Sequence, residues 1–456
     1  MRRSGLAHLA SWKDKANRKP LVIRGARQVG KSYLVRLFAA EQKFDLCEIN
    51  LELQDDYRNC FSSKNPHTII SLIELKSGKK IQPGKTLLFL DEIQAAPEVL
   101  AALRYFYELI PRLHIIGAGS LLEFVLEDHS FSMPVGRIEY MHLGPMTFKE
   151  FLDGVGRSAQ REFIGSFDLA EEMPTVLHDE LLSQFKKYLV VGGMPEAVQV
   201  YSDTGSLLEV DAVKQSILLT YRDDFSKYRK KVNHIRLQKV FQKLPGTVGK
   251  KLKYVSIDRA EKSSEIKKAL HLLSLARIYY PVRHTAANGI PLGAEANEKF
   301  QKPLFLDVGL LNKACGLSFI DIDEAEDITL VNAGAVCEQF VGQHLLFFGE
   351  PCDEPELYYW TREKRQASSE VDYLLSIGTS IIPVEVKSGK TGTLKSLNVF
   401  LQEKNLDFAL RFNADLPSYH PADFSLPGVS GLFHLLSLPL YLVEETKRLV
   451  KMAVCL

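Results

Sequence analysis

The sequence predicts a multi-domain α/β protein built around a phosphate-binding loop, and three observations predict it. From Pro20 to about Pro145 short apolar runs alternate with helical apolar spacing, the pattern of a mainly parallel sheet covered on both faces. A glycine-rich loop, Gly25-Ala-Arg-Gln-Val-Gly-Lys-Ser32, stands between a strand-like and a helix-like segment. A second set of strand signals follows between Leu357 and Val386. At 456 residues the chain is too long for one ordinary core, so two or three domains are expected.

The elements follow in order. Residues 20–24 read as a buried strand and 33–39 as a helix, with further strands expected over 44–51, 86–90, 113–116 and 137–143. Between about Met146 and Tyr228 strand signals fade, and stretches such as 178–189 carry helical periodicity, which suits a helical lid. Gly192-Gly193 before Pro195-Glu196 reads as a helix–helix turn inside that lid. Segment 227–253 holds Arg229, Lys230, Lys231, Arg236, Lys239, Lys243, Lys250 and Lys251 but no acid. Helical segments 236–244 and 263–275 then lead to an apolar strand over 276–282, the outline of a winged helix. Past a turn at 286–289, a helix is expected over 332–348 and strands over 357–360, 370–376 and 380–386.

The loop matches G-x-x-x-x-G-K-[ST] in the context that gives the motif its meaning. Gly25, Ala26, Arg27, Gln28, Val29 and Gly30 would wrap phosphates with backbone N–H groups at a helix N-terminus, with Tyr33 beside them. Lys31 would pair the β- and γ-phosphates of ATP, and the Ser32 hydroxyl would ligate Mg²⁺. The apolar strand 86–90 ends in Asp91 and Glu92. Asp91 is placed to hold Mg²⁺ and Glu92 to deprotonate the attacking water, a pairing suited to hydrolysis. Ser120, after the next strand, would sense the γ-phosphate or position the water. Arg137 has two readings: a finger reaching a neighbouring subunit in a homo-oligomer, or one half of a structural ion pair.

Composition narrows the class. Apolar residues make up 46% of the chain and the net charge is +1, so a nucleic-acid partner must rest on a local patch such as 227–253. The six cysteines are scattered without metal-ligand spacing, which reads as a reducing compartment. The basic N-terminus leads into no apolar core of a signal peptide, and no apolar stretch is long enough to span a bilayer. A cytoplasmic protein without a membrane partner is expected.

Residues 24–32, Leu90-Asp-Glu-Ile-Gln94 and Gly144-Pro-Met-Thr-Phe-Lys-Glu-Phe151 resemble the AAA-type ATPase domain of a prokaryotic two-part family. Tyr188-Leu-Val-Val-Gly-Gly-Met-Pro-Glu196, Lys302-Pro-Leu-Phe-Leu-Asp-Val-Gly-Leu310 and Val384-Glu-Val-Lys-Ser-Gly389 are similar to the rest of that family's order. The resemblance implies an additional-strand P-loop domain over 1–150, a lid over 151–228, a winged helix over 229–290 and a restriction-endonuclease-like domain over 291–456. In the last of these, Glu385 and Lys387 share a strand face, and a hairpin would bring Asp372 beside them. Asp followed by Glu-x-Lys is the arrangement of metal-dependent phosphodiesterases: Asp372 and Glu385 would ligate Mg²⁺ and Lys387 would assist the nucleophile. Glu338, on the preceding helix, looks like the extra acid that some nucleases of this fold use. The same residues also suit a nuclease fold kept as a binding scaffold, which leaves an ATP-dependent DNA-binding or protein-binding switch as the alternative.

Overall fold

The computed structural model describes residues 1–127, 136–225, 232–317, 333–364, 367–389, 394–426 and 429–455. Its N-terminal unit is a parallel sheet of β1 (Leu21–Arg24), β2 (Asp45–Asn50), β3 (Thr86–Asp91), β4 (His114–Gly119) and β5 (Glu139–His142). Their order is β2-β3-β4-β1-β5, with every pairing parallel. Strand alternation divides the core between the two faces. Leu21, Ile23 and Phe89 pack with Trp12, Leu34 and Phe38 of α1 (Gly5–Lys13) and α2 (Lys31–Glu41). Val22, Leu88 and Leu90 pack with Ile73, Leu103 and Phe106 of α3 (Pro66–Ser77) and α4 (Glu98–Leu109). Each such buried side chain stabilises the unit by roughly 1.5–3 kcal/mol over its exposed form. Because β4 lies between β1 and β3, the loop after β1 and the acids Asp91 and Glu92 at the end of β3 flank one crevice at the strands' C-terminal ends. β4 runs on through Gly119, past the expected end at 116, and β5 begins two residues after Arg137.

After α5 (Leu122–Glu127) and β5 comes the helical region expected: α6 (Phe148–Gly154), α7 (Ser158–Ser166), α8 (Thr175–Val191), α9 (Pro195–Thr204) and α10 (Leu207–Asp224). Thr147 and Glu150 close a capping box on α6. Gly192-Gly193 turns α8 into α9, and a Cβ at Gly193 would stand 2.1 Å from the Met146 carbonyl oxygen, so only glycine fits.

The helices α11 (His234–Lys243), α12 (Tyr254–Ile257) and α13 (Ser263–Leu275) precede the hairpin β6 (Tyr279–Thr285) and β7 (Ala296–Phe305). Here the architecture departs from the sequence reading. The hairpin is no free wing: β6 also pairs in parallel with β8 (Leu357–Lys364), so β6 and β7 edge an eight-stranded sheet that crosses the boundary expected at 290. The sheet continues through β9 (Ala367–Ile377), β10 (Ser380–Val386), β11 (Phe408–Asn413), β13 (Val429–Pro439) and β12 (Ser418–Leu426). α14 (Val308–Ala314) and α15 (Ala333–Leu345) precede β8; α16 (Lys395–Lys404) links β10 to its parallel neighbour β11, and α17 (Thr446–Cys455) ends the chain. α15 packs on one face through Phe340 and Val341, α16 on the other through Leu397 and Phe400.

Polar contacts join the lid to this second unit. Asp307 accepts from Gly193 N at 2.6 Å, Asn312 donates to the Leu189 carbonyl at 2.7 Å, and Gln343 donates to the Tyr188 hydroxyl at 2.9 Å. No helix among the described residues is long and apolar enough to cross a membrane.

Candidate nucleotide site and C-terminal cluster

The loop after β1 is shaped by backbone and side chain together. Gly30 has φ +91°, and a Cβ at Gly25 would lie 2.2 Å from the Leu143 carbonyl oxygen, so both positions require glycine. Lys31 opens α2, is buried, and donates to the Gly25 and Ala26 carbonyls at 3.0 and 2.8 Å. Burial pushes its pKa down to about 8. A phosphate in the loop would give that ammonium a stronger acceptor than two carbonyls.

The acids expected opposite the loop stand there. Ser32 donates to Asp91 Oδ2 at 2.6 Å, and burial raises the Asp91 pKa against that hydrogen bond. A hydroxyl and a carboxylate in contact, both hard oxygen donors, fit Mg²⁺. Glu92 adopts a left-handed backbone, φ +53°, a strain of about 1–3 kcal/mol of the kind found at functional sites. Its Oε2 accepts from Gln94 and from Ser120 Oγ at 3.3 Å. Ser120 in turn accepts from Arg27 Nε at 3.2 Å, while Arg27 Nη1 pairs with Asp224 on the lid at 2.6 Å. The Tyr221 hydroxyl donates to the Arg27 carbonyl at 2.7 Å. Gly25 to Ser32, Asp91, Glu92 and Ser120 therefore form one constellation. Tyr33 lies to its side, half-exposed, accepting from the N-terminal amine at 2.8 Å. Arg137 pairs with Glu108 of α4, Nε to Oε1 at 3.1 Å, which is its ion-pair reading within one chain.

Two supports were not foreseen. Buried Arg3 donates to the Val29 and Gly144 carbonyls, both at 2.8 Å, and pairs with Glu150 at 2.8 Å, bracing the loop from outside. Arg24, at the end of β1, pairs with Glu123 of α5; Glu123 also holds Arg277, which pairs with Glu354 before β8. Burial alone would raise the Glu123 pKa, but the two guanidiniums hold it below the usual carboxylate range. The P-loop strand is thus wired to the second unit by charge. A cleft of about 1320 Å³ also lies between the units, lined in part by Arg3, Glu150 and Glu354, and takes no residue from the P-loop.

In the C-terminal sheet, β9 and β10 form the expected hairpin and bring Asp372 to Glu385 and Lys387. Asp372 Oδ2 accepts from Val386 N at 2.8 Å, and Glu385 Oε1 accepts from Lys387 Nζ at 2.6 Å. Burial, with Asp372 nearby, pushes the Glu385 pKa up to about 7. The metal set proposed from sequence meets an obstacle. Lys302 of β7 lies against Glu338 and Asp372, and its three carboxylate neighbours hold it charged against the cost of burial. Among the described residues no group of three or more His, Cys, Asp or Glu is disposed to hold a metal. As placed, the set Glu338, Asp372 and Glu385 does not fit Mg²⁺. The only sequence signal was a single lysine opening the apolar run Lys302–Leu306.

The basic segment is less basic than its sequence. Arg236 pairs with Glu261 at 3.0 Å and Glu265 at 2.7 Å, and Lys239 with Asp258, because the acids after the segment fold back onto α11. Lys243, Lys250 and Lys253 have no carboxylate partner among the described residues, and Arg229, Lys230 and Lys231 lie outside those residues.

A β2-β3-β4-β1-β5 parallel sheet with a P-loop after β1 and an acid pair at the end of β3 is a P-loop α/β fold. Residues 17–152 match a family model described as an AAA domain. Residues 182–321 and 333–416 each match a model described as a domain of unknown function. Among solved structures the chain is similar to a Walker-type ATPase of Pyrococcus abyssi, at 14% identity over 69% of this chain and 95% of that one, with a TM-score of 0.42. It is also similar to the ORC2 protein of Aeropyrum pernix, at 12% identity over 69% and 94%, TM-score 0.35. The RuvB Holliday junction branch migration motor of Thermotoga maritima matches at 14% identity over 65% and 90%, TM-score 0.28. No curated protein matches.

Proposed function

We propose that this chain is a Mg²⁺-dependent ATP hydrolase whose nucleotide state is passed to a nucleic-acid-directed C-terminal module. The Ser32–Asp91 contact at 2.6 Å beside buried Lys31 carries the reading. Ser32 and Asp91 would hold Mg²⁺, which neutralises phosphate charge when bound. Lys31 exchanges its carbonyl partners for phosphate oxygens. Glu92 takes a proton from water as that water's oxygen bonds to the γ-phosphorus, and the bond to the bridging oxygen breaks to leave ADP and phosphate. Ser120 holds the Glu92 carboxylate in place, and Arg27 reports the change to the lid through Asp224. Lys243, Lys250 and Lys253 support the nucleic-acid direction as a phosphate-facing set, and the α15-β8-β9-β10-α16-β11 order supports a restriction-endonuclease-like core. A cytoplasmic setting follows from the same reading.

Glu92→Gln is expected to retain ATP while hydrolysis falls by at least a hundredfold, and Lys31→Ala to lose ATP binding. Hydrolysis at the wild-type rate by Glu92→Gln would remove Glu92 from its role. The ATP-locked Glu92→Gln chain should also bind labelled DNA or RNA with an affinity that falls steeply with salt. Binding indifferent to salt and to Lys250→Glu would move the output to a protein partner.

A further inference from the structure

Lys302 occupies the centre of the C-terminal carboxylates. Its side chain is 2% exposed, and its Nζ lies 3.0 Å from Glu338 Oε2, 2.8 Å from Glu370 Oε1 and 3.6 Å from Asp372 Oδ1. The rings of Tyr359 and Tyr373 stand 5.8 Å from the same ammonium, adding favourable faces to a desolvated cation. A buried ammonium is costly unless it is paired and hydrogen-bonded, and so is a buried carboxylate. This group supplies both needs without a metal.

Most of the oxygens that face the centre of the cluster are engaged by the protein itself. Glu338 Oε2 and Asp372 Oδ1 face Lys302, Asp372 Oδ2 takes the Val386 N–H, and Glu385 Oε1 takes Lys387. Within this cluster, Glu385 Oε2 is the carboxylate oxygen that is buried without a hydrogen-bond partner. Lys302 already supplies the positive charge these carboxylates need, and it fills the space between Glu338, Glu370 and Asp372 that a shared Mg²⁺ would have to enter. We propose that Lys302 is the resident cation of this cluster, standing where a divalent metal would stand, so that the C-terminal module takes up no metal and works as a charged scaffold that binds without cutting. The inference bears on the output named above but rests on Lys302 alone, so it survives or fails independently of ATP hydrolysis.

Mn²⁺ binding to the nucleotide-free full chain, read by electron paramagnetic resonance, tests it. The Asp91→Asn background keeps the P-loop site out of the count. That protein is expected to bind no Mn²⁺ tightly. Adding Lys302→Met should create one Mn²⁺ site per chain, and adding Asp372→Asn to that variant should abolish it. Lys302→Arg, which keeps the charge, should stay empty. If Asp91→Asn alone binds one Mn²⁺ and Asp372→Asn removes it, the proposal is wrong, whether or not Lys302→Met folds. A folded Lys302→Met chain that gains no Mn²⁺ overturns it equally.

Discussion

Lys31 shows how the loop is stabilised at the residue scale: a buried ammonium holds two carbonyls of its own loop, partners that phosphate oxygens would replace. Arg27 does something different, because its guanidinium spans from Ser120, beside Glu92, to Asp224, the last residue of α10. Asp224→Asn keeps the shape of that carboxyl but removes the charge that Arg27 meets. We expect turnover to drop by about tenfold, the cost of one charge-assisted hydrogen bond at about 1.4 kcal/mol, with thermal stability nearly unchanged. Steady-state kinetics beside a melting curve would check it, and equal turnover would make Arg27 a surface latch only. The residues of this site were legible to different degrees for physical reasons. Gly25, Lys31, Ser32, Asp91 and Glu92 announce themselves because the loop motif and the acid pair that ends an apolar strand put fixed residue types at fixed spacing. Asp224, Arg3 and Lys302 do not, since each meets its partners across at least 26 residues of chain and is an ordinary charged residue in its own segment.

Among the elements, those with one strong period were readable and those defined by partners were not. β1 and β3 are uninterrupted apolar runs, because both faces of a parallel sheet are covered. β6 and β7 have the same local pattern as a winged-helix hairpin, and nothing in residues 279–305 reveals that β8, some fifty residues later, will pair with β6. The junction of α6 and α15 is likewise invisible in sequence. His344 Nε2 accepts from Phe148 N at 3.0 Å, and its Nδ1 lies 2.7 Å from the Phe340 carbonyl oxygen, which fixes a neutral ring with the proton on Nδ1. Burial pushes its pKa down to about 4, and burial does the same to His114 and His142. In the unfolded chain these rings protonate near the ordinary value of about 6.5. Between about 6.5 and 4 the unfolded state therefore binds more protons, so stability is full above that window and is lost as pH falls through it, by up to about 1.4 kcal/mol per pH unit for each ring. Chemical denaturation at pH 7 and pH 5 should show the loss, and His344→Gln should make the difference between the two smaller. Identical slopes with and without His344 would mean that the ring is solvated in the native protein.

For the whole molecule, the open matter is whether one chain is a complete catalyst. Its own crevice supplies Lys31, Ser32, Asp91, Glu92 and Ser120, but among these the single cation is Lys31, while developing charge on a transferred phosphoryl group is commonly met by an arginine as well. Arg27 is engaged with the lid and Arg24 with Glu123. Arg137 stands apart, in the turn before β5, with a 43% exposed side chain and a partner, Glu108, that is itself at the surface. A solvated pair of that kind stabilises little and is readily exchanged, so Arg137 is available to the phosphates of a neighbouring copy at small cost to its own fold. In that case ATP turnover per chain rises with protein concentration, Arg137→Ala loses at least a hundredfold in kcat while binding ATP as before, and its melting temperature stays within about a degree or two of wild type. Mixing inactive Arg137→Ala with inactive Glu92→Gln should then restore part of the activity, because a mixed pair contains one site with both its own Glu92 and its neighbour's Arg137. A rate per chain that does not depend on concentration, together with no recovery on mixing, would assign Arg137 to Glu108 alone and leave the single chain as the whole enzyme.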